Sequence, residues 1–289
     1  MKFELIDAEK ANIPVALACK ALGVSRAGYY ASKKRPESTR ARDDRRLTVK
    51  VCESFKLGRT YYGSPRILKD LLADDEHVSR KRVIRLMQEQ GLVARVRRRY
   101  KCTTMSDHDQ PIAPNLLARR FEAEGPNQRW VGDTTELRVG DSGRVFLAAV
   151  VDLYSRFVVG WALSAVNDRQ LVIRALEMAL RRRCPEAGLM HHSDQGSPYA
   201  SEDYQNVLGA HGITCSMSRR GNCYDNAVAE SWFSTLKAEL GERFESYADA
   251  KEKLFDYIEV FYNQKRRHSA LDYVSPGEYE RTDRAALAA

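Results

Sequence analysis

The 289-residue sequence predicts an α/β domain built on a mixed five-stranded sheet with helices, preceded by all-α helix-turn-helix modules. Three observations carry that expectation. Apolar residues recur at helical spacing up to about residue 92, and from Gln128 they switch to short runs rich in β-branched and aromatic side chains. Those runs come three in succession and then alternate with helical stretches, as in a sheet that begins as a meander and continues through crossovers. Charge divides near the same place. Residues 1–121 hold 27 Lys and Arg against 14 Asp and Glu, a net of +13, whereas residues 122–289 hold 20 against 25, a net of −5, and together these make the chain's +8. A basic first part suits a polyanion and a mildly acidic second part suits cations.

In chain order, Val15, Leu17, Ala18, Ala21 and Leu22 give a short amphipathic helix that Gly23 ends, and Ser25 can cap a second one. Helix, glycine turn and capped helix is the layout of a helix-turn-helix, assigned here to residues 1–44. Residues 31–46 read as a linker or the start of a new helix. The theme repeats over 45–101. A helix around Leu47 to Phe55 leads into R-T-Y-Y-G-S-P-R-I, Pro65 can begin a second helix, and Ser79 caps a third that Gly91 stops. The third helix is expected to bury Val83, Ile84 and Met87 and to expose Arg80, Lys81, Arg82 and Arg85, where a recognition helix meets bases and phosphates. The basic tail with Arg97, Arg98 and Arg99 suits phosphates or a minor groove. Residues 102–121 have little periodicity and read as a linker.

From residue 122 the second domain begins. Trp130–Leu137, Val145–Val151 and Phe157–Leu163 read as antiparallel strands, Asp168–Arg183 as a helix, Leu189–His192 as a fourth strand, Glu202–His211 as a helix and Ile213–Met217 as a fifth strand. That is the order of an RNase H-like core, in which the first and fourth strands lie side by side. A helix follows, with Val228, Trp232, Leu236 and Leu240 as its apolar stripe and Glu230, Ser234 and Lys237 off it. A helix from Tyr247 to Tyr262 and a helical extension complete the chain.

Three carboxylates stand where such a fold could gather them: Asp133 in W-V-G-D-T-T, Asp194 at the end of the fourth strand, and Glu230 on the later helix. In-line displacement at phosphorus needs help at both the attacking and the leaving oxygen. Two hard divalent ions held by carboxylate oxygens can give it, which sets the expected spread of the three carboxyl carbons at about 8 Å. Asp152, between two strands, reads as a turn residue. His191 and His192 beside Asp194 lack the spacing of a hydrolytic zinc site, and His192 is assigned at most a tuning role. Arg219 and Arg220 lie in a basic loop beside the acids. Asp225 and Asn226 read as caps of the Glu230 helix.

W-V-G-D-T-T, H-S-D-Q-G-S-P-Y, S-M-S-R-R-G-N-C-Y-D-N-A-V-A-E-S-W-F-S-T-L-K-A-E-L and Y-N-Q-K-R-R-H-S-A-L-D-Y-V-S-P together resemble the second-frame (OrfB) product of transposases of the insertion sequence three family. That family belongs to the DDE transposase and retroviral-integrase superfamily, and the resemblance runs from Val15 to Tyr279. It implies that Asp133, Asp194 and Glu230 are the catalytic, metal-binding triad for Mg2+ or Mn2+, two ions in all, and that Lys237 contacts DNA. It also implies metal-dependent strand cleavage and strand transfer with no covalent protein–DNA intermediate. Terminal repeats and target DNA are then the double-stranded partners of a homo-oligomer, with an upstream-frame (OrfA) product as possible fusion partner. Within the tail motif, Arg266 and Arg267 contact DNA or brace the catalytic helix.

Six cysteines without C-x-x-C or zinc-finger spacing read as reduced thiols. A charged N-terminus and the lack of a long apolar run point to no membrane and to a prokaryotic cytoplasm, near the nucleoid. Two rivals remain at this level: a non-catalytic DNA-binding regulator that keeps the fold, and a metal-dependent nuclease that only hydrolyses.

Overall fold

The computed structural model describes residues 2–95, 110–219 and 223–287. The first module is α1 (Lys2–Glu9), α2 (Val15–Ala21) and α3 (Arg26–Lys34), packed around Ile6, Cys19 and Tyr29. The Ser25 hydroxyl accepts the Gly28 N–H at 3.0 Å and so caps α3 as expected. The helix α1 was not anticipated, because only Ile6 of its residues is buried.

The second module is α4 (Thr39–Leu57), α5 (Ser64–Ala73) and α6 (Arg80–Glu89), closed around Leu47, Val51, Phe55, Tyr62, Ile67, Leu71, Val83, Leu86 and Met87. Ser38 caps α4, which therefore begins well before Leu47. Its first turns carry Arg and Asp rather than apolar residues, so periodicity is silent there, and they are held by Arg46–Glu76, Arg82–Asp43 and Arg82–Asp44 pairs. In α6 the inward residues are Val83, Leu86 and Met87, at i, i+3 and i+4, whereas Ile84 faces solvent, contrary to expectation.

The sheet domain holds β1 (Arg129–Val139), β2 (Gly143–Asp152), β3 (Val158–Ser164), α7 (Arg169–Arg183), β4 (Met190–Ser193), α8 (Ser197–Ala200), α9 (Glu202–Ala210), β5 (Thr214–Met217), α10 (Ala227–Glu239), β6 (Arg243–Phe244), α11 (Tyr247–Phe255) and α12 (Pro276–Leu287). Strand order is β3-β2-β1-β4-β5, antiparallel through β3-β2-β1 and parallel through β1-β4-β5, the RNase H-like arrangement. A sixth strand, β6, pairs parallel to the end of β1 at Arg138 and Val139, and two residues are too few to leave a period in the sequence. The helix after α11 continues as a π-helical stretch over Asp256–Tyr262.

Alternate strand residues fill two layers. Trp130, Ala148, Val150 and Val159 meet α7 and α9 on one side, while Val131, Leu147, Ala149 and Val151 meet α10 and α11 on the other. Residues 110–121 are part of this body rather than a free linker: Leu117 is buried among the second set, and the Leu116 and Leu117 N–H groups donate to Ser216 Oγ. At Gly160, α7 lies so close to β3 that a Cβ would stand 2.2 Å from the Ala175 carbonyl oxygen and 2.7 Å from the Ala179 nitrogen. Backbone atoms cannot swing aside. Gly160→Ala should therefore lower stability by about 1–3 kcal/mol, read as a drop in the thermal midpoint, and an unchanged midpoint would mean that α7 slides freely.

Candidate active site

Parallel pairing places Val131 of β1 level with His192 of β4. Continuing that register by two residues brings Asp133 level with Asp194, which follows the last residue of β4. Asp133 shares strand parity with Val131 and Leu137, which pack toward α10, so it stands on the α10 side of the sheet. Glu230 lies in the first turn of α10, whose Trp232, Phe233 and Leu236 are buried against that side. All three acids are half-buried.

The three carboxylates act on one another. Burial raises Asp133 well above the ordinary carboxylate range, and the negative charges of Asp194 and then Glu230 raise it further, against the Thr134 N–H and the Lys237 ammonium. The Asp133 Oδ1 accepts the Thr134 N–H at 2.7 Å, and the Asp194 Oδ1 accepts the Gly196 N–H at 3.0 Å. Burial pushes the half-buried Lys237 down, while Glu242, Glu136 and Asp133 pull it up. Among the described residues, no three His, Cys, Asp or Glu side chains are grouped closely enough to hold an ion as they stand. The acids thus share a field rather than a finished coordination shell.

The neighbouring residues divide into those kept near the acids and those used elsewhere. His192 contacts Ser216 Oγ at 2.8 Å and Ser218 Oγ at 3.2 Å, and burial lowers it to about 4. It is neutral at pH 7 and ties β4 to β5. His191, lowered to about 3 by burial, meets the Tyr204 hydroxyl at 3.1 Å. Asp152 is a turn residue, as expected, accepting the N–H groups of Asn127 and Tyr154 and the Trp130 indole N–H.

Asp225 is not a cap. It is fully buried, and its oxygens accept from Asn115 Nδ2 at 2.8 Å, Arg119 Nε at 2.9 Å, and the Nε, Nη2 and backbone N–H of Arg219 at 2.9, 3.0 and 3.1 Å. Asn226 occupies the cap position without a capping bond, and its amide points to the Gly132 carbonyl at 3.4 Å. Arg219 is therefore a loop anchor as well as a basic residue. Arg97, Arg98, Arg99 and Arg220 lie outside the described residues.

Several other expected DNA contacts are already engaged. Arg82 bonds Asp44 and Asp43 at 2.7 and 2.8 Å, and Arg85 bonds Asp44 and Glu89, each at 2.7 Å. Arg80 donates to Ser64 Oγ at 3.2 Å, and Lys81 is exposed. Arg266 is only 4% exposed and forks onto Glu239, a geometry that matches the bracing alternative. Arg267 bonds Asp70 and the Tyr273 carbonyl, and it too braces. Nothing in the sequence pairs Glu239 with Arg266 or Asp44 with two arginines, because those partners are far apart along the chain.

Residues 123–223 and again 211–276 match family models described as "Integrase core domain", and residues 41–100 match one described as "HTH-like domain". Transposase InsF for insertion sequence IS3A of Escherichia coli (strain K12) is 38% identical over 284 residues, covering 97% of this chain and 98% of the relative. The insertion element IS600 uncharacterized 31 kDa protein of Shigella sonnei is 40% identical over 263 residues, covering 90% and 96%. A solved HTLV-2 integrase catalytic core domain in complex with magnesium superposes with a TM-score of 0.42 at 16% identity, over 54% of this chain and 98% of that one.

The two arginines hold the Asp225 carboxyl far below its ordinary range. A depressed acid contributes stability above its unfolded pKa and loses that contribution as pH falls toward the folded value. Asp225→Asn should cost about 1–3 kcal/mol at pH 7. Thermal midpoints of the two proteins should converge as pH drops below about 4, the unfolded value for aspartate. A gap that stays constant as pH is taken well below that value would show that the charge of Asp225 contributes nothing.

Proposed function

Because the chain belongs to the transposases of the insertion sequence IS3 family, we propose that it binds the ends of its element through the basic N-terminal modules and performs strand cleavage and strand transfer at Asp133, Asp194 and Glu230. The observation that carries this reading is the raised titration range of Asp133, which burial chiefly and Asp194 and Glu230 partly produce, beside the register that sets the two aspartates level. Three carboxylates from two adjacent strands and a helix are kept within reach of one another's charge, an arrangement that favours a cation. Their donors are all hard oxygens, which fits Mg2+ or Mn2+. Two such ions, when bound, supply Lewis-acid stabilisation of the attacking and leaving oxygens.

The chain's own groups do the rest. The Thr134 and Gly196 N–H groups fix one oxygen of Asp133 and one of Asp194, which orients the remaining lone pairs. Lys237 carries its charge from the same helix as Glu230, two turns along at about 1.5 Å per residue, where it can meet a phosphate. Hydrolysis of one strand by water at the element end leaves a 3′-hydroxyl, and that hydroxyl attacks a target phosphodiester, displacing the 3′-oxygen of the target strand as its leaving group. The exposed faces of Arg80 and Lys81 on α6 supply phosphate contacts.

Asp133→Asn, Asp194→Asn and Glu230→Gln should each abolish joining of pre-cut ends to a target plasmid while end binding in a mobility-shift assay stays near normal. Near-normal joining by any one of them in magnesium removes that residue from the ligand set. Loss of cleavage with retained joining is not expected, and an unvaried chain that cuts but never joins would favour the hydrolysis-only reading.

Replacing Arg80 and Lys81 together with alanine should flatten the slope of log affinity against log salt by about 1.8, taking roughly 0.9 per phosphate contact. Arg82 and Arg85, which are held by Asp43, Asp44 and Glu89, should contribute less per residue. An equal loss from the two pairs would mean that DNA displaces the acids of α4.

A further inference from the structure

The R-T-Y-Y segment between α4 and α5 is bent in an unusual way. Arg59 and Thr60 both adopt left-handed backbone conformations, with φ of 52° and 67°. For a β-branched threonine that region is strained, and two such residues in succession persist only when their surroundings over-determine them. Gly58 lies against the ring of Tyr62, and a Cβ there would stand 2.2 Å from Tyr62 Cγ. The bend turns three side chains of the DNA-binding module onto the catalytic domain.

Tyr61 touches the far end of the helix that carries Glu230, and Arg59 and Tyr62 touch the stretch from Asp256 to Arg267 packed behind it. The last four carbonyls of a helix lack intrahelical partners, and in α10 the Ala238 carbonyl accepts the Tyr61 hydroxyl. Arg59 pairs with Asp256 at 2.5 Å, and its guanidinium stands 4.8 Å from the Phe261 ring centre and 5.3 Å from that of Tyr257. The Tyr62 hydroxyl accepts the Arg267 N–H at 2.7 Å. Behind these contacts, Glu239 is buried in a fork with Arg266 and accepts the Tyr257 hydroxyl at 2.9 Å. The chain of contacts therefore runs from the module, through Ala238 and Glu239, into the last turn of α10. Lys237 is next to Ala238, and Glu230 is about 12 Å up the same rod at 1.5 Å per residue.

We propose that this segment is a latch by which the DNA-binding module sets the catalytic helix, with Arg59 and Tyr61 as positioning residues for Glu230 and Lys237. The latch rests on the reading of Glu230 as part of the reacting site. Its contacts combine ion pairs, hydrogen bonds and guanidinium-on-ring stacking, the mixed polar character of interfaces between domains that adjust relative to one another. Seating a DNA end on the module then bears directly on the helix that presents Glu230.

The test uses the full chain with Arg59→Ala and Tyr61→Phe, singly and combined, and Arg59→Lys as the conservative variant. In the double variant, amide hydrogen exchange over Ala227–Glu239 should rise about tenfold. Joining of pre-cut ends should fall about tenfold and half-saturating magnesium should rise, with end affinity held within twofold, and Arg59→Lys should recover most of the single-variant loss. Unchanged exchange in α10 overturns the latch. So does raised exchange with normal joining, or end affinity that falls in step with joining, because the contacts would then serve packing or recognition alone. Retained joining by Asp133→Asn is a separate failure, that of the carboxylate reading, and the exchange measurement still decides whether the module holds the helix.

Discussion

Parallel pairing of β1 with β4 is the constraint on which the rest of the catalytic domain depends. A parallel neighbour cannot be reached by a tight turn, so the chain must leave β1, run through β2, β3 and α7, and return. That excursion explains the close contact of α7 on Gly160 and the unbroken apolar layer from Trp130 to Leu180. Its outcome is a register, Val131 beside His192, that leaves two aspartates level at the end of the shorter strand. Like charges side by side cost free energy. The Thr134 N–H and Lys237 offset part of that cost, and burial first, then the charges of Asp194 and Glu230, leave Asp133 raised.

The parts of this arrangement that could be read in the sequence are those with a period or an end. Trp130 to Leu137 alternates, the helix with Trp232 and Leu236 repeats every four residues, and Asp194 sits where a short apolar run stops. Glu230 stood out because it left the apolar stripe. The unreadable parts depend on partners distant in the chain. The start of α4 is stabilised by Asp43 and Asp44 reaching Arg82 and Arg85 on another helix, so its first turns carry no apolar signal. Asp225 looked like a cap because it precedes a helix, yet its charge belongs to Arg119 and Arg219. Strand β6 is two residues long, and the sequence left Arg266 open between DNA contact and brace because the burial of its partner Glu239 is a tertiary fact.

The basic character of the first 121 residues also means something different once their partners are known. A net of +13 counts every lysine and arginine alike. In α6, however, Arg82 and Arg85 are held in place by carboxylates of α4, which fixes their rotamers and lowers the field they project. Arginines held this way lose less side-chain entropy on meeting a phosphate, but they bring less net charge. Affinity and orientation are thus divided between residues: Lys81 and the outer face of Arg80 project charge, and the held pair keeps α6 at a defined angle to α4.

Helix α10 also helps to keep its own charges in place. A helix presents a partial positive charge at its N-terminus and a partial negative charge at its C-terminus, each worth about 0.3–1 kcal/mol to a suitably charged side chain in the end turn. Glu230 lies in the first turn of α10 and Lys237 in the last, so both have the favoured sign. The carboxylate that must stand near two aspartates is stabilised by the end of the helix that faces them. At the other end, the half-buried carbonyl of Ala238 and the carboxylate of Glu239 make a negative terminus, and it is there that the Arg266 guanidinium and the Tyr61 hydroxyl are placed. The electrostatics of a single helix thus account for an acid at the sheet edge and for donors from two other parts of the chain at its opposite end.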